Sequence, residues 1–177
     1  MKRYLLILTA LFITIALLAS CSSSDEKTSS DKTDATTDTQ TPAGSGGKFM
    51  ALDLDGNFHT SKQYAGKPLI LNFWGTWCPP CRKELPDLKK IYAEYNPMGL
   101  EIIGLAVNDT PEKVRNFAKQ SDLDWVMLIA NRESALSYQI GAGVPVTIFI
   151  DKDGNETARA IGARSYEYFK TEVEKII

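Results

Sequence analysis

Between Leu69 and Trp74 the chain runs Leu69-Ile70-Leu71-Asn72-Phe73-Trp74, apolar on odd and even positions alike except at Asn72. A strand with that pattern leaves no side for water and has to be covered on both faces, which calls for helices above and below a sheet. The run leads into Trp77-Cys78-Pro79-Pro80-Cys81. Leu85, Leu88, Ile91, Tyr92 and Tyr95 then recur at helical spacing, so a helix follows the cysteines, with Pro86 predicted to kink it.

The flanking segments supply the other layers. Phe49-Met50-Ala51-Leu52-Asp53 and Asn57-Phe58-His59-Thr60, joined through Asp55-Gly56, predict an N-terminal β-hairpin with His59 on its surface. Glu101 to Val107 is a second buried strand. Asp109-Thr110-Pro111-Glu112 then offers a cap and a first-turn proline for a helix with Val114, Phe117 and Ala118 inward. Trp125 to Ala130 is a third strand and Glu133 to Tyr138 a short helix. Val146 to Asp151 and Glu156 to Ile161 flank the turn Lys152-Asp153-Gly154-Asn155, and Ser165 caps a last helix carrying Tyr166, Phe169, Val173, Ile176 and Ile177. Strands and helices alternate and end in an antiparallel hairpin. The expected fold is an α/β sandwich with a mixed β-sheet and helices on both faces.

Ahead of this domain the chain changes character twice. Lys2 and Arg3 precede an apolar stretch from Tyr4 to Ala19, interrupted only by Thr9 and Thr14, and Ser20-Cys21 follows. That is the pattern of a signal peptide over residues 1–20, too short to cross a bilayer as a helix. Leu18-Ala19-Ser20-Cys21 also resembles a bacterial lipobox, whose cysteine is lipidated; a plain secretory signal with an incidental cysteine is the alternative. Residues 22–47 hold only Ala35 and Ala43 as clearly apolar side chains. Such composition cannot offset the entropy of ordering, so residues 21–47 are expected to be a lipid-bearing, disordered tether with a reach of roughly 25 to 30 Å. Residues 48–177 are enough for one folded domain. Removing residues 1–20 takes away Lys2 and Arg3 and no acid, which moves the formal net charge from -2 to -4 and argues against a nucleic-acid surface.

Three cysteines in an exported chain leave one over unless it has another use. Cys21 to a lipid and Cys78 with Cys81 to each other accounts for all three. Two cysteines separated by two residues at a helix start can close on each other, and the helix N-terminus stabilises a thiolate on the first. Half of a zinc site is the competing reading, but no second cysteine pair exists and His59 is the only histidine, so no metal is expected.

The segments from Leu71 to Pro86 and from Tyr138 to Asp151, with WCPPC in the first and Val144-Pro145 in the second, resemble the thioredoxin superfamily. The likeness is closest to its TlpA/ResA-like branch of membrane-anchored thiol-disulfide oxidoreductases, with an AhpC/TSA-redoxin-like domain. It extends over 48–177, including the leading hairpin and an extra central strand-helix unit. The resemblance implies a thioredoxin-like three-layer sandwich and a redox-active disulfide as the only reactive group, with no cofactor. It implies Cys78 as nucleophile, with a partly exposed sulfur, and Cys81 as the buried resolving thiol. Pro79 and Pro80 have no amide hydrogen, so the Cys81 amide is the nearest backbone donor left for the Cys78 sulfur. With no histidine between the cysteines, a reducing poise is expected. In ResA-like relatives a glutamate at the position of Glu84 is the functional acid, and Asn72 replaces the titrating aspartate of minimal thioredoxins; a solvated Glu84 in a first helical turn is the alternative. The resemblance makes the Val144-Pro145 peptide cis and places it against the cysteines as a substrate-binding loop together with Trp77 and Pro79. Val146 departs from the threonine usual after that proline.

On this reading the protein is a reductase of protein disulfides, such as apocytochrome c or an extracellular methionine sulfoxide reductase. It sits as a lipid-anchored monomer on the outer face of the bacterial cytoplasmic membrane and takes electrons from a transmembrane carrier of the CcdA/DsbD type. A disulfide-forming oxidase differs only in potential. A redoxin-type peroxidase needs a threonine and a proline where this chain has Gly75 and Leu71. A Cu(I) chaperone needs wider cysteine spacing and a distal histidine.

Overall fold

The computed structural model describes residues 49–177 except residue 142. The expected signal peptide (1–20), Cys21 and the tether (21–47) lie outside the described residues.

The strands are β1 (Met50–Asp53), β2 (Phe58–Thr60), β3 (Leu69–Trp74), β4 (Glu101–Ala106), β5 (Val126–Ile129), β6 (Val146–Ile150) and β7 (Glu156–Ile161). They form one sheet in the order β2-β1-β5-β4-β3-β6-β7, with β3, β4 and β5 mutually parallel and the remaining pairings antiparallel. The helices are α1 (Pro79–Tyr95), α2 (Pro111–Ser121), α3 (Arg132–Ser137) and α4 (Tyr166–Val173). Every residue of β3 is buried, Asn72 included, as an apolar pattern on both faces requires. Ile70 and Trp74 point into a core shared with Leu85, Leu88 and Ile91 of α1, Val114 of α2 and Phe169 of α4. Leu71 and Phe73 point to the other face, where Tyr138 closes a second core. The thioredoxin-like α/β fold with helices on both faces is therefore present. The β5–α3 unit enters the sheet between β4 and β1.

Local chemistry explains the connections. Both hairpins turn on the same sequence, Asp-x-Asp-Gly-Asn, at Asp53 to Asn57 and Asp151 to Asn155. In each, the first aspartate takes two backbone amides on one oxygen: Asp53 Oδ1 accepts from Asp55 and Asn57, both at 2.8 Å, and Asp151 Oδ1 from Asp153 at 3.0 Å and Asn155 at 2.8 Å. His59 is half-buried beside the first turn, bonded to Tyr64 Oη at 2.9 Å and Asp53 Oδ2 at 3.3 Å. Thr110 caps α2 by accepting the Lys113 amide, with Pro111 in the first turn.

Pro86 lies inside the helix as expected, and one other expectation, the cap of α4, is modified. α1 continues through Pro86, which leaves the Arg82 carbonyl without its usual intrahelical donor. Ser165 occupies the N-cap of α4, yet its side chain makes no capping bond. Asp87 on α1 accepts the Tyr166 amide at 3.2 Å instead, so the cap of the last helix comes from the helix packed against it.

Candidate active site

Cys78 is the N-cap of α1 and Pro79 and Pro80 are its first two residues. With those two amides missing, the Cys81 N–H is aimed at the Cys78 sulfur and reaches it at 3.3 Å. The two cysteines form a disulfide with a Cα–Cα separation of 5.3 Å. Helix start and disulfide are thus one structure. Cys81 is fully buried, as expected, but Cys78 is also buried, at 2% exposure, rather than partly exposed. The loop before β6 contributes to the cover: the Val144-Pro145 peptide is cis, and the Val144 carbonyl oxygen lies 3.5 Å from Cys78 Sγ.

Trp77 forms the exposed rim, 54% accessible, with its indole N–H donating to the Val107 carbonyl at 3.0 Å. Gly75 permits this, because a Cβ there would stand 2.6 Å from Trp77 Nε1. Asp109 fastens the same loop by accepting the Thr76 amide at 2.7 Å. Pro79 is exposed beside the disulfide, on the side away from the core.

Below the disulfide lies a buried polar group. Glu84, one helical turn after Cys81, is 1% exposed, which excludes the solvated alternative. Asn72 Nδ2 donates to Glu84 Oε1 at 2.9 Å and to Thr147 Oγ1 at 3.0 Å, and the Arg164 amide donates to Glu84 Oε2 at 3.2 Å. Burial pushes the Glu84 carboxyl up to about 7, against the pull of the Asn72 and Arg164 hydrogen bonds and the Arg164 charge. Asn72 Oδ1 and the indole nitrogen of Trp74 are buried with no hydrogen-bond partner among the described residues. An acid titrating near neutrality can take up and return protons at physiological pH.

The structure gathers Cys78, Cys81, Val144, Pro145, Trp77 and Pro79 at one end of the sheet, with Glu84 beneath. Cys21 lies outside the described residues. His59 stands on β2, an edge strand four positions from β3, and among the described residues no three His, Cys, Asp or Glu side chains gather to hold a metal ion. Thr147 and the Arg164 amide were not foreseen. Thr147 left one signal, as the only polar side chain in Val146–Ile150.

A mixed sheet with a Cys-x-x-Cys disulfide at the head of a long helix, faced by a cis-proline loop, defines a thioredoxin-like redox protein. The Redoxin family model matches residues 32–177. Thiol-disulfide oxidoreductase ResA of a Bacillus cereus strain is 38% identical over 129 residues, 72% of this chain and 74% of its own. ResA of Geobacillus thermodenitrificans is 35% identical over the same shares. A solved thioredoxin-family thiol:disulfide interchange protein from Chlorobium tepidum TLS superposes with a TM-score of 0.70 at 29% identity, covering 77% of this chain and 98% of its own. The chain belongs to the Redoxin family of the thioredoxin superfamily, in its TlpA/ResA-like branch. It is a thiol-disulfide oxidoreductase acting on disulfide-containing substrates.

Proposed function

We propose that this protein reduces protein disulfides through Cys78 and Cys81. The observation that carries the reading is the position of Cys78 Sγ: at the N-cap of α1, within reach of the Cys81 amide, and 3.5 Å from a loop carbonyl that an extended substrate would run beside. The helix N-terminus and that amide favour a thiolate on Cys78 in the reduced protein. The thiolate attacks one sulfur of the substrate disulfide, forming a mixed disulfide and expelling the other substrate sulfur as a thiolate. Cys81 then gives its proton to Glu84 and attacks Cys78 Sγ. The substrate leaves with both sulfurs reduced, and Cys78–Cys81 is left oxidised. Glu84 returns its proton to the departing thiolate or to water. Val144, Pro145, Trp77 and Pro79 form the substrate-binding rim.

The cellular setting extends the same reading. Residues 1–20 direct export, Cys21 carries the lipid, 21–47 tether the 48–177 domain, and a monomer works on the outer face of the cytoplasmic membrane. This is consistent with the secreted oxidoreductase of Mycobacterium tuberculosis among the structural relatives. The dithiol is restored by a membrane carrier of the CcdA/DsbD type, and apocytochrome c or a methionine sulfoxide reductase is the substrate. Equilibration of the Cys78–Cys81 couple in thiol buffers tests the direction of flow. A potential near the ~-270 mV of thioredoxin supports reduction, and one near ~-120 mV reverses the assignment to disulfide formation. Trapping of mixed disulfides by Cys81→Ala, absent from Cys78→Ala, tests the order of attack.

A further inference from the structure

Among the described residues, three exposed cations beside the disulfide form no ion pair: Arg82, Lys83 and Arg164, the last felt only at a distance by the buried Glu84. Seven other lysines and arginines among the described residues each hold a carboxylate within 3.5 Å, and Lys62, Lys113, Lys119, Arg132 and Lys152 hold none; what distinguishes these three is their place on the cysteine-bearing end of α1 and the loop packed against it. The two guanidiniums are instead positioned by neutral groups. Arg82 lies over the Phe117 ring at 5.7 Å, and Arg164 over Tyr168 at 5.5 Å while donating to the Gly162 and Ala163 carbonyls. Aromatic faces and carbonyls orient an arginine without cancelling its charge.

The surface between them is concave. An open groove of about 520 Å³ starts at Pro79, next to Cys78, and runs past Arg82 and Phe117. A cleft of about 230 Å³ lies on the other side of Lys83, toward Arg164. The carboxylates nearby are already engaged. Asp87 holds Lys90 and the Tyr166 amide, Asp109 holds the Thr76 amide, and Glu84 is buried under the Arg164 backbone. A chain that is acidic overall therefore presents a cationic rim on one side of its reactive disulfide.

We propose that this rim is the substrate-docking surface, and that it takes a polypeptide whose disulfide is flanked by acidic residues, with carboxylates received by Arg82, Lys83 and Arg164. The inference rests on the thiol-exchange reading above and adds the chemistry of the partner. Oriented guanidiniums beside an open groove suit carboxylate recognition, and rim charges act mainly on the encounter rate.

The test uses the reduced full chain and three synthetic peptides with the same internal disulfide, flanked by three glutamates, three glutamines or three lysines. The acidic peptide is expected to be reduced about tenfold faster than the basic one at low salt, with the gap closing near 1 M salt, where the Debye length is about 3 Å. Lys83→Glu combined with Arg164→Glu should abolish or invert that order. Lys152→Glu, at the far end of β6, should leave the order as it is. Equal rates for acidic and basic peptides in the unaltered protein overturn the proposal, as does an acidic preference that survives the double substitution. Failure to reduce even the glutamine peptide overturns the thiol-exchange reading and this inference with it.

Discussion

Asn72 and Glu84 meet at 2.9 Å inside the sheet-helix interface, the amide of one held against the carboxyl of the other and both side chains buried. The strand position supplies a donor that cannot titrate, and the helix position supplies the acid. A carboxyl is thus built into the core one helical turn after Cys81.

Glu84 should make stability fall with rising pH. Its carboxyl, ordinarily near 4.5, is raised to about 7 by burial, so the folded oxidised protein holds this proton more tightly than the unfolded chain does. The contribution is fully present below about 4.5 and is lost as pH rises through 7, up to ~3 kcal/mol in all. Urea unfolding at pH 5 and pH 8 should show this loss in the unaltered protein and not in Glu84→Gln. Parallel pH dependences of the two would remove the buried-acid assignment.

The same substitution should slow the resolving step. Without a group to take the Cys81 proton, reduction of a disulfide peptide at pH 7 is expected to drop by about 10² in Glu84→Gln, and the inflection near pH 7 should vanish from the rate profile. A profile unchanged in shape would assign proton uptake to solvent.

Asn72→Leu should couple the two effects. It deletes the hydrogen bonds to Glu84 Oε1 and Thr147 Oγ1, leaving a buried carboxyl and a buried hydroxyl short of partners. A loss of about 2 to 4 kcal/mol is expected, larger at pH 8 than at pH 5 because the ionised carboxylate depends more on a donor. The kinetic inflection should move upward in pH. Loss of stability with no movement of the inflection would make Asn72 a packing residue only.

Gly75→Ala should displace Trp77. The added methyl falls 2.6 Å from Trp77 Nε1 and 2.8 Å from Cε2, so the indole has to swing away from the Val107 carbonyl. A cost of about 1 to 2 kcal/mol and a shift in tryptophan emission are expected. In a Trp77→Phe background, which removes the clashing nitrogen, the cost should shrink; an equal cost in both backgrounds would locate the strain elsewhere.

The layers of this fold were readable because their causes are local. The apolar run of β3, the helical spacing after Cys81, the Thr110-Pro111 helix start and the repeated Asp-x-Asp-Gly-Asn turns act over a few residues, through sterics and short hydrogen bonds. The disulfide was readable for the same reason, its cysteines being one helical turn apart. What escaped the linear reading depends on which strands are neighbours. Asn72 meets Thr147, 75 residues on, because β3 and β6 pair antiparallel in that register; the Arg164 amide, 80 residues from Glu84, arrives with the turn after β7. The cap of α4 belongs to Asp87 rather than Ser165 because α1 and α4 pack together. The burial of Cys78 came with the Val144-Pro145 loop folding to within 3.5 Å of its sulfur. Local rules place the paired cysteines at a helix start, whereas the buried carboxyl's proton affinity and the sulfur's cover arise from strand order and helix packing, which bring together residues that no short-range pattern links.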